Sequence, residues 1–145
     1  MMNVNTGSWV FWAALSAIFA ALTAVFAKVG VGEIDADVAT FVRTIVILVV
    51  VFAILLFSGQ VGEVGRLNSR SVLFLILSGL ATGGSWLCYF RAMKLGDAAR
   101  VQPIDKLSVV LVAVIGVVFL GERLSTTNWI GVAFIAAGAI LVGLR

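Results

Sequence analysis

Apolar residues run along this chain in five long blocks separated by short polar interruptions, at about residues 8–27, 38–57, 72–90, 101–120 and 128–144. Each block is 17 to 20 residues long. At about 1.5 Å per residue, a helix of that length approaches or crosses a hydrocarbon core of about 30 Å. The pattern predicts an all-α integral membrane protein with five transmembrane helices in one domain, residues 1–145. The second block carries a β-branched run, Thr44 to Val51, which in water would suit a buried strand. Its length of about twenty residues favours a membrane helix.

The fourth block is the least regular. Its uninterrupted apolar part, Leu107 to Leu120, is fourteen residues, or roughly 21 Å of helix. Either that helix is short, or Val101 to Lys106 also lies at membrane depth, together with Asp105, Lys106 and Pro103. Ionisable groups are costly in lipid and face a bundle interior, a wet cavity or the headgroups. The simpler reading also stands: Pro103 suits a first helical turn, Asp105 a helix N-terminus, and Lys106 can snorkel to the surface.

Composition agrees with a bilayer. Of the 145 residues 62% are hydrophobic and 12% charged, and mean hydropathy is +1.18. A soluble domain carries about twice that charge. The net charge of +3 comes from basic residues scattered singly between apolar blocks, a loop pattern and not a nucleic-acid footprint. The chain has no histidine and one cysteine, Cys88, so it has no internal disulfide and no metal-ligand spacing, and no cofactor motif is present. Ordinary hydrolytic chemistry lacks its parts, so an enzyme is not expected. No Lys or Arg precedes Trp9, so the first block reads as a retained span and not a signal peptide.

Five spans put the termini on opposite sides. Lys28, Arg43, Arg91, Lys94, Arg100, Lys106 and Arg145 fall on one side, and Arg66, Arg70 and Arg123 on the other. The positive-inside rule places the side with seven in the cytoplasm. Small residues Ala13, Ala17, Ala20, Ala21, Ala24 and Ala27 in the first span, and Gly79 and Gly83 in the third, allow close helix approach.

The run R-V-Q-P-I-D-K-L-S-V-V-L-V-A-V, then F-L-G-E-R-L, then W-I-G-V-A-F-I-A-A-G-A-I-L-V, with the upstream G-L-A-T-G-G-S-W-L-C-Y-F-R-A-M-K-L-G-D-A-A-R, resembles the EamA domain of the drug/metabolite transporter superfamily. The resemblance is strongest from Gly79 to Leu144. It implies a transporter, or transporter half, for small metabolites or drug-like molecules in a prokaryotic cytoplasmic (inner) membrane. Most members carry two five-helix repeats of inverted topology; this chain looks like one repeat. One repeat cannot enclose a pathway that lies between two halves. The resemblance therefore implies alternating access at a dimer interface, either an antiparallel homodimer or a pair with an oppositely oriented paralogue. The charge bias opposes free dual insertion, and a paralogue of opposite orientation would satisfy both. A non-transporting assembly or scaffold subunit of a larger complex is the alternative.

The last span is also similar to the dimerisation pattern of the small multidrug resistance proteins. That similarity nominates Gly131, Phe134, Ile135 and Gly138 as a dimer face, Gly131 and Gly138 being seven apart and so on one side of a helix. Those proteins carry a membrane-embedded glutamate in their first helix, whereas Trp9 to Ala27 contains no acid. A proton-coupled cation antiport of that kind is not expected. The polar groups available inside the spans suit a neutral, zwitterionic or aromatic metabolite. Candidate pathway or gate residues are Trp12, Arg43, Ser85, Trp86, Tyr89, Asp105, Lys106 and Ser108. Arg43 and Asp105 fall roughly 6 to 8 Å below their expected helix starts, which suggests that Asp105 pairs with Arg43, or with its neighbour Lys106.

Overall fold

A computed structural model describes residues 8–143, so the first seven residues, Leu144 and Arg145 lie outside the described residues. All regular structure among them is helical. The elements are α1 (Trp9–Val31), α2 (Ala36–Phe57), a 3₁₀ turn (Val61–Arg66), α3 (Ser69–Leu95), α4 (Ala98–Asp105), α5 (Ser108–Phe119) and α6 (Thr126–Gly143). Five stretches are long and apolar enough to span a bilayer, with α4 and α5 counted together as Ala98–Phe119. The β-branched run of Thr44 to Val51 is helical, so length outweighs β propensity here.

Polar side chains start the helices. Ser8 Oγ accepts from Val10 N–H (3.3 Å), Asp35 Oδ1 from Asp37 N–H (2.9 Å), Asn68 Oδ1 from Ser71 N–H (2.7 Å) and Ser125 Oγ from Asn128 N–H (3.2 Å). Each satisfies a first-turn donor that has no helical partner. Two glycines stop helices. Gly59 (φ +70°) follows α2, and Gln60 N–H closes back on Leu55 O at 3.2 Å. Gly121 (φ +68°) follows α5, where Glu122 N–H donates to Gly116 O at 3.0 Å. Left-handed backbone at these two points is what glycine provides.

Several helices outrun the apolar blocks. Lys28 lies inside α1, Arg91 and Lys94 inside α3, and Arg100 inside α4, where the blocks alone suggest loop charges. The expected charged loop from Arg91 to Arg100 shrinks to Gly96 and Asp97. Long basic side chains at these helix ends reach polar groups. Lys28 Nζ donates to Gly96 O at 2.8 Å, and Lys94 Nζ to Ile34 O at 3.0 Å.

The fourth span is an interrupted helix. Asp97 precedes α4, so Pro103 sits inside the helix and not in its first turn. Around Lys106 and Leu107 the ladder tightens to i→i−3 bonds: Leu107 N–H to Ile104 O, Val109 N–H to Lys106 O and Val110 N–H to Leu107 O, each 3.0 Å. This is a 3₁₀ step between two α-helical segments. Ala98 to Phe119 is 22 residues, about 33 Å, so the helical stretch long and apolar enough to span here includes Asp105 and Lys106. Across the third block, α3 runs unbroken through Gly79, Gly83 and Gly84.

The described residues fall into two compact units. One comprises residues 8–29 and 95–143, and in it α6 packs against both α4 and α5. The covered positions of α6 are Val132, Ala136, Ala139 and Gly143, spaced four, three and four apart along one face. At its end the approach is close: a Cβ on Gly143 would collide with Ile104 Cδ1. The other unit comprises residues 30–94. There α2 and α3 are bridged by long side chains, with Arg91 Nη2 at 3.0 and 3.2 Å from the two Asp37 carboxylate oxygens.

The Gly143–Ile104 approach predicts a specific loss and rescue. Gly143→Val should destabilise the protein by about 1–3 kcal/mol through overpacking, and adding Ile104→Ala should recover part of that loss. Gly79→Ala, where a Cβ meets nothing within 4 Å, should be neutral or slightly stabilising. Unfolding titrations in detergent check all three; a Gly143→Val protein as stable as the parent would contradict the packing.

Candidate functional site

Within the unit of residues 30–94, two rings of α3 converge on one cation of α2. Arg43 lies seven residues past the start of α2, about 10 Å along the helix axis. Its guanidinium carbon stands 4.3 Å from the centroid of the Trp86 ring and 5.6 Å from that of Phe90. Trp86 and Phe90 are four apart on α3 and therefore share a face. The Tyr89 ring meets Phe90 edge-on, with centroids 6.0 Å apart. A guanidinium over an aromatic face gains from the ring quadrupole, by about 0.5–2 kcal/mol and more when water is excluded. The local acid is already occupied, since Asp37 holds Arg91. Trp86 and Tyr89 belong to this arrangement, and Ser85 stands exposed one residue before Trp86.

In the unit of residues 8–29 and 95–143, Asp105 is the last residue of α4 and Lys106 caps it. Lys106 Nζ is 3.3 Å from Asp105 Oδ2. Asp105 thus has the sequence neighbour as its ion-pair partner, while the guanidinium of Arg43 has aromatic faces. A lysine suits the negative end of a helix and offsets the acid beside it. Ser108 opens α5 and is exposed. Trp12 is exposed on α1, its ring edge-on to Phe11 at 5.5 Å.

Other polar residues of the spans are taken up locally. Thr40 Oγ1 donates to Ala36 O and Thr44 Oγ1 to Thr40 O, both at 2.8 Å, and Thr82 Oγ1 to Ser78 O at 2.9 Å. These hydroxyls satisfy themselves against the preceding turn. The nominated dimer face of α6 stands apart from the covered one: Gly131, Phe134, Ile135 and Gly138 are all exposed, and a Cβ at either glycine meets nothing within 4 Å. Sequence reasoning missed Phe90, although its spacing of four from Trp86 marked it, and missed the Asp37–Arg91 pair, because both charges read as loop residues. Among the described residues no cluster of His, Cys, Asp or Glu is arranged to hold a metal.

Helices of spanning length, capped by polar residues and carrying one guanidinium held by aromatic faces, define a multi-pass helical membrane protein. The chain belongs to the EamA-like transporter family, whose model matches residues 7–144. A relative from a Sinorhizobium species, named as an uncharacterized transporter in the cobO 3′ region, is 64% identical over 137 residues, covering 94% of this chain and 97% of the relative. No solved structure matches the chain. Family and relative both point to transport across a membrane and away from catalysis.

A double-mutant cycle checks the Arg43 arrangement. Arg43→Gln and Trp86→Leu, singly and together, should show a coupling of about 0.5–2 kcal/mol in detergent unfolding. Additive effects would mean that the stack contributes nothing.

Proposed function

We propose that this chain is one half of a transporter for small metabolites, in a prokaryotic inner membrane, and that two copies form one alternating-access pathway. The observation that carries the reading is that a transporter-family model matches residues 7–144 while the described residues hold five helical stretches long and apolar enough to span a bilayer. A pathway between two halves then takes a second such set of helices, which a second copy would supply. The uncovered face of α6 suits that contact, because attraction between helices in lipid comes from close van der Waals packing, which glycine permits. The 3₁₀ step at Lys106 and Leu107, beside the Asp105–Lys106 pair, is a natural flexing point for access, and Trp12, Ser85 and Ser108 are the remaining candidates for the pathway.

The test joins assembly to activity. Gly131→Leu with Gly138→Leu should reduce chemical crosslinking between copies severalfold and reduce uptake or efflux of metabolites in proteoliposomes in parallel. An unchanged dimer places the contact elsewhere, and a dimer that moves no solute of a broad metabolite panel supports an assembly subunit instead.

A further inference from the structure

We infer that Arg43, held by Trp86 and Phe90, is a binding site for the carboxylate of a small anionic or zwitterionic solute, which assigns a substrate class and rests on the transporter reading above. A cation–π contact engages the face of a guanidinium and leaves its in-plane N–H groups unspent. Arg43 donates no hydrogen bond and forms no ion pair with another described residue; it stands over the rings of Trp86 and Phe90, with Tyr89 close enough to interact electrostatically. The acids of the same unit are engaged or distant. Asp37 pairs with Arg91, Glu63 with Arg66 at 2.7 Å, and Asp35 caps α2. Glu33 lies in the turn before α2, ten residues before Arg43.

A permanent charge inside an apolar helix long enough to span a bilayer, with the acids of its own unit engaged elsewhere, is costly. Its five N–H donors form a fork that matches a carboxylate in bidentate geometry. The rings fix the guanidinium in place, so less rotamer freedom is lost when the anion arrives. The aromatic faces are occupied by Arg43 itself, which disfavours a cationic solute at the same spot. A lipid headgroup phosphate offers similar acceptor chemistry, and the experiment separates the two sources.

Full-length protein carrying Trp9→Phe, Trp12→Phe and Trp129→Phe keeps Trp86 as its one indole of four. In phosphatidylcholine nanodiscs, Trp86 emission is titrated with acetate, phenylacetate, glycine and phenylalanine and with the primary amide of each. At least one carboxylate should give a saturable change, its amide should bind about tenfold more weakly or worse, and Arg43→Lys, which keeps the charge but loses the fork, should weaken the response. The same four pairs are followed for uptake in proteoliposomes. The triple Trp→Phe protein is used once its circular dichroism and uptake match the parent's, and in it no saturable response, or equal responses to acid and amide, overturns the assignment. A response reproduced by phosphatidylglycerol and absent for the solutes assigns Arg43 to a headgroup and overturns the solute site. Uptake of uncharged solutes without any carboxylate response leaves the transporter reading standing and sinks this one; carboxylate binding without uptake of any solute does the reverse.

Discussion

A peptide group in hydrocarbon has no water to bond, and the rest of this structure follows from that constraint. Every span must close its hydrogen bonds within itself, so a β-branched segment such as Thr44 to Val51 becomes helix. The same constraint explains the ends. Ser8, Asp35, Asn68 and Ser125 supply acceptors where the ladder begins, and Gly59 and Gly121 turn the chain where it stops. At Lys106 and Leu107 the ladder tightens instead of opening, which changes the helix without exposing a run of unpaired groups.

Once the backbone is satisfied, side-chain polarity becomes the scarce resource inside the spans. Threonines spend their hydroxyls on the preceding turn. Lys28 and Lys94 reach backbone carbonyls, and Arg91 reaches Asp37. Arg43 differs, because its neighbours are rings and rings leave its donors available. This distinction gives the position functional weight: a polar group that the fold has already satisfied does packing, whereas one that the fold has only steadied is ready for a ligand.

Much of this was legible in the sequence, for reasons tied to particular residues. Apolar block length fixed the number of spans, and the motif from Gly79 onward fixed the family. Helix ends were less legible. Lys28, Arg91 and Arg100 looked like loop charges because apolar content marks where lipid ends, not where the helix ends. Pro103 looked like a first-turn residue because nothing in the apolar pattern shows that α4 begins at Ala98. Of the two partners that charge offers Asp105, the neighbour Lys106 is the one found beside it. The rings beside Arg43 were not legible, because spacing along two separate helices cannot say which faces meet.

The central claim is that two copies share one pathway, and mixing copies tests it most directly. Wild-type chain and an Arg43→Glu variant, combined in detergent at varied ratio and constant total protein, are reconstituted together and assayed for uptake of a solute that the wild type moves. Shared pathways in which both copies matter predict that uptake falls faster than the wild-type fraction, approaching its square. Uptake strictly proportional to the wild-type fraction would mean that each chain works alone, and would contradict the claim.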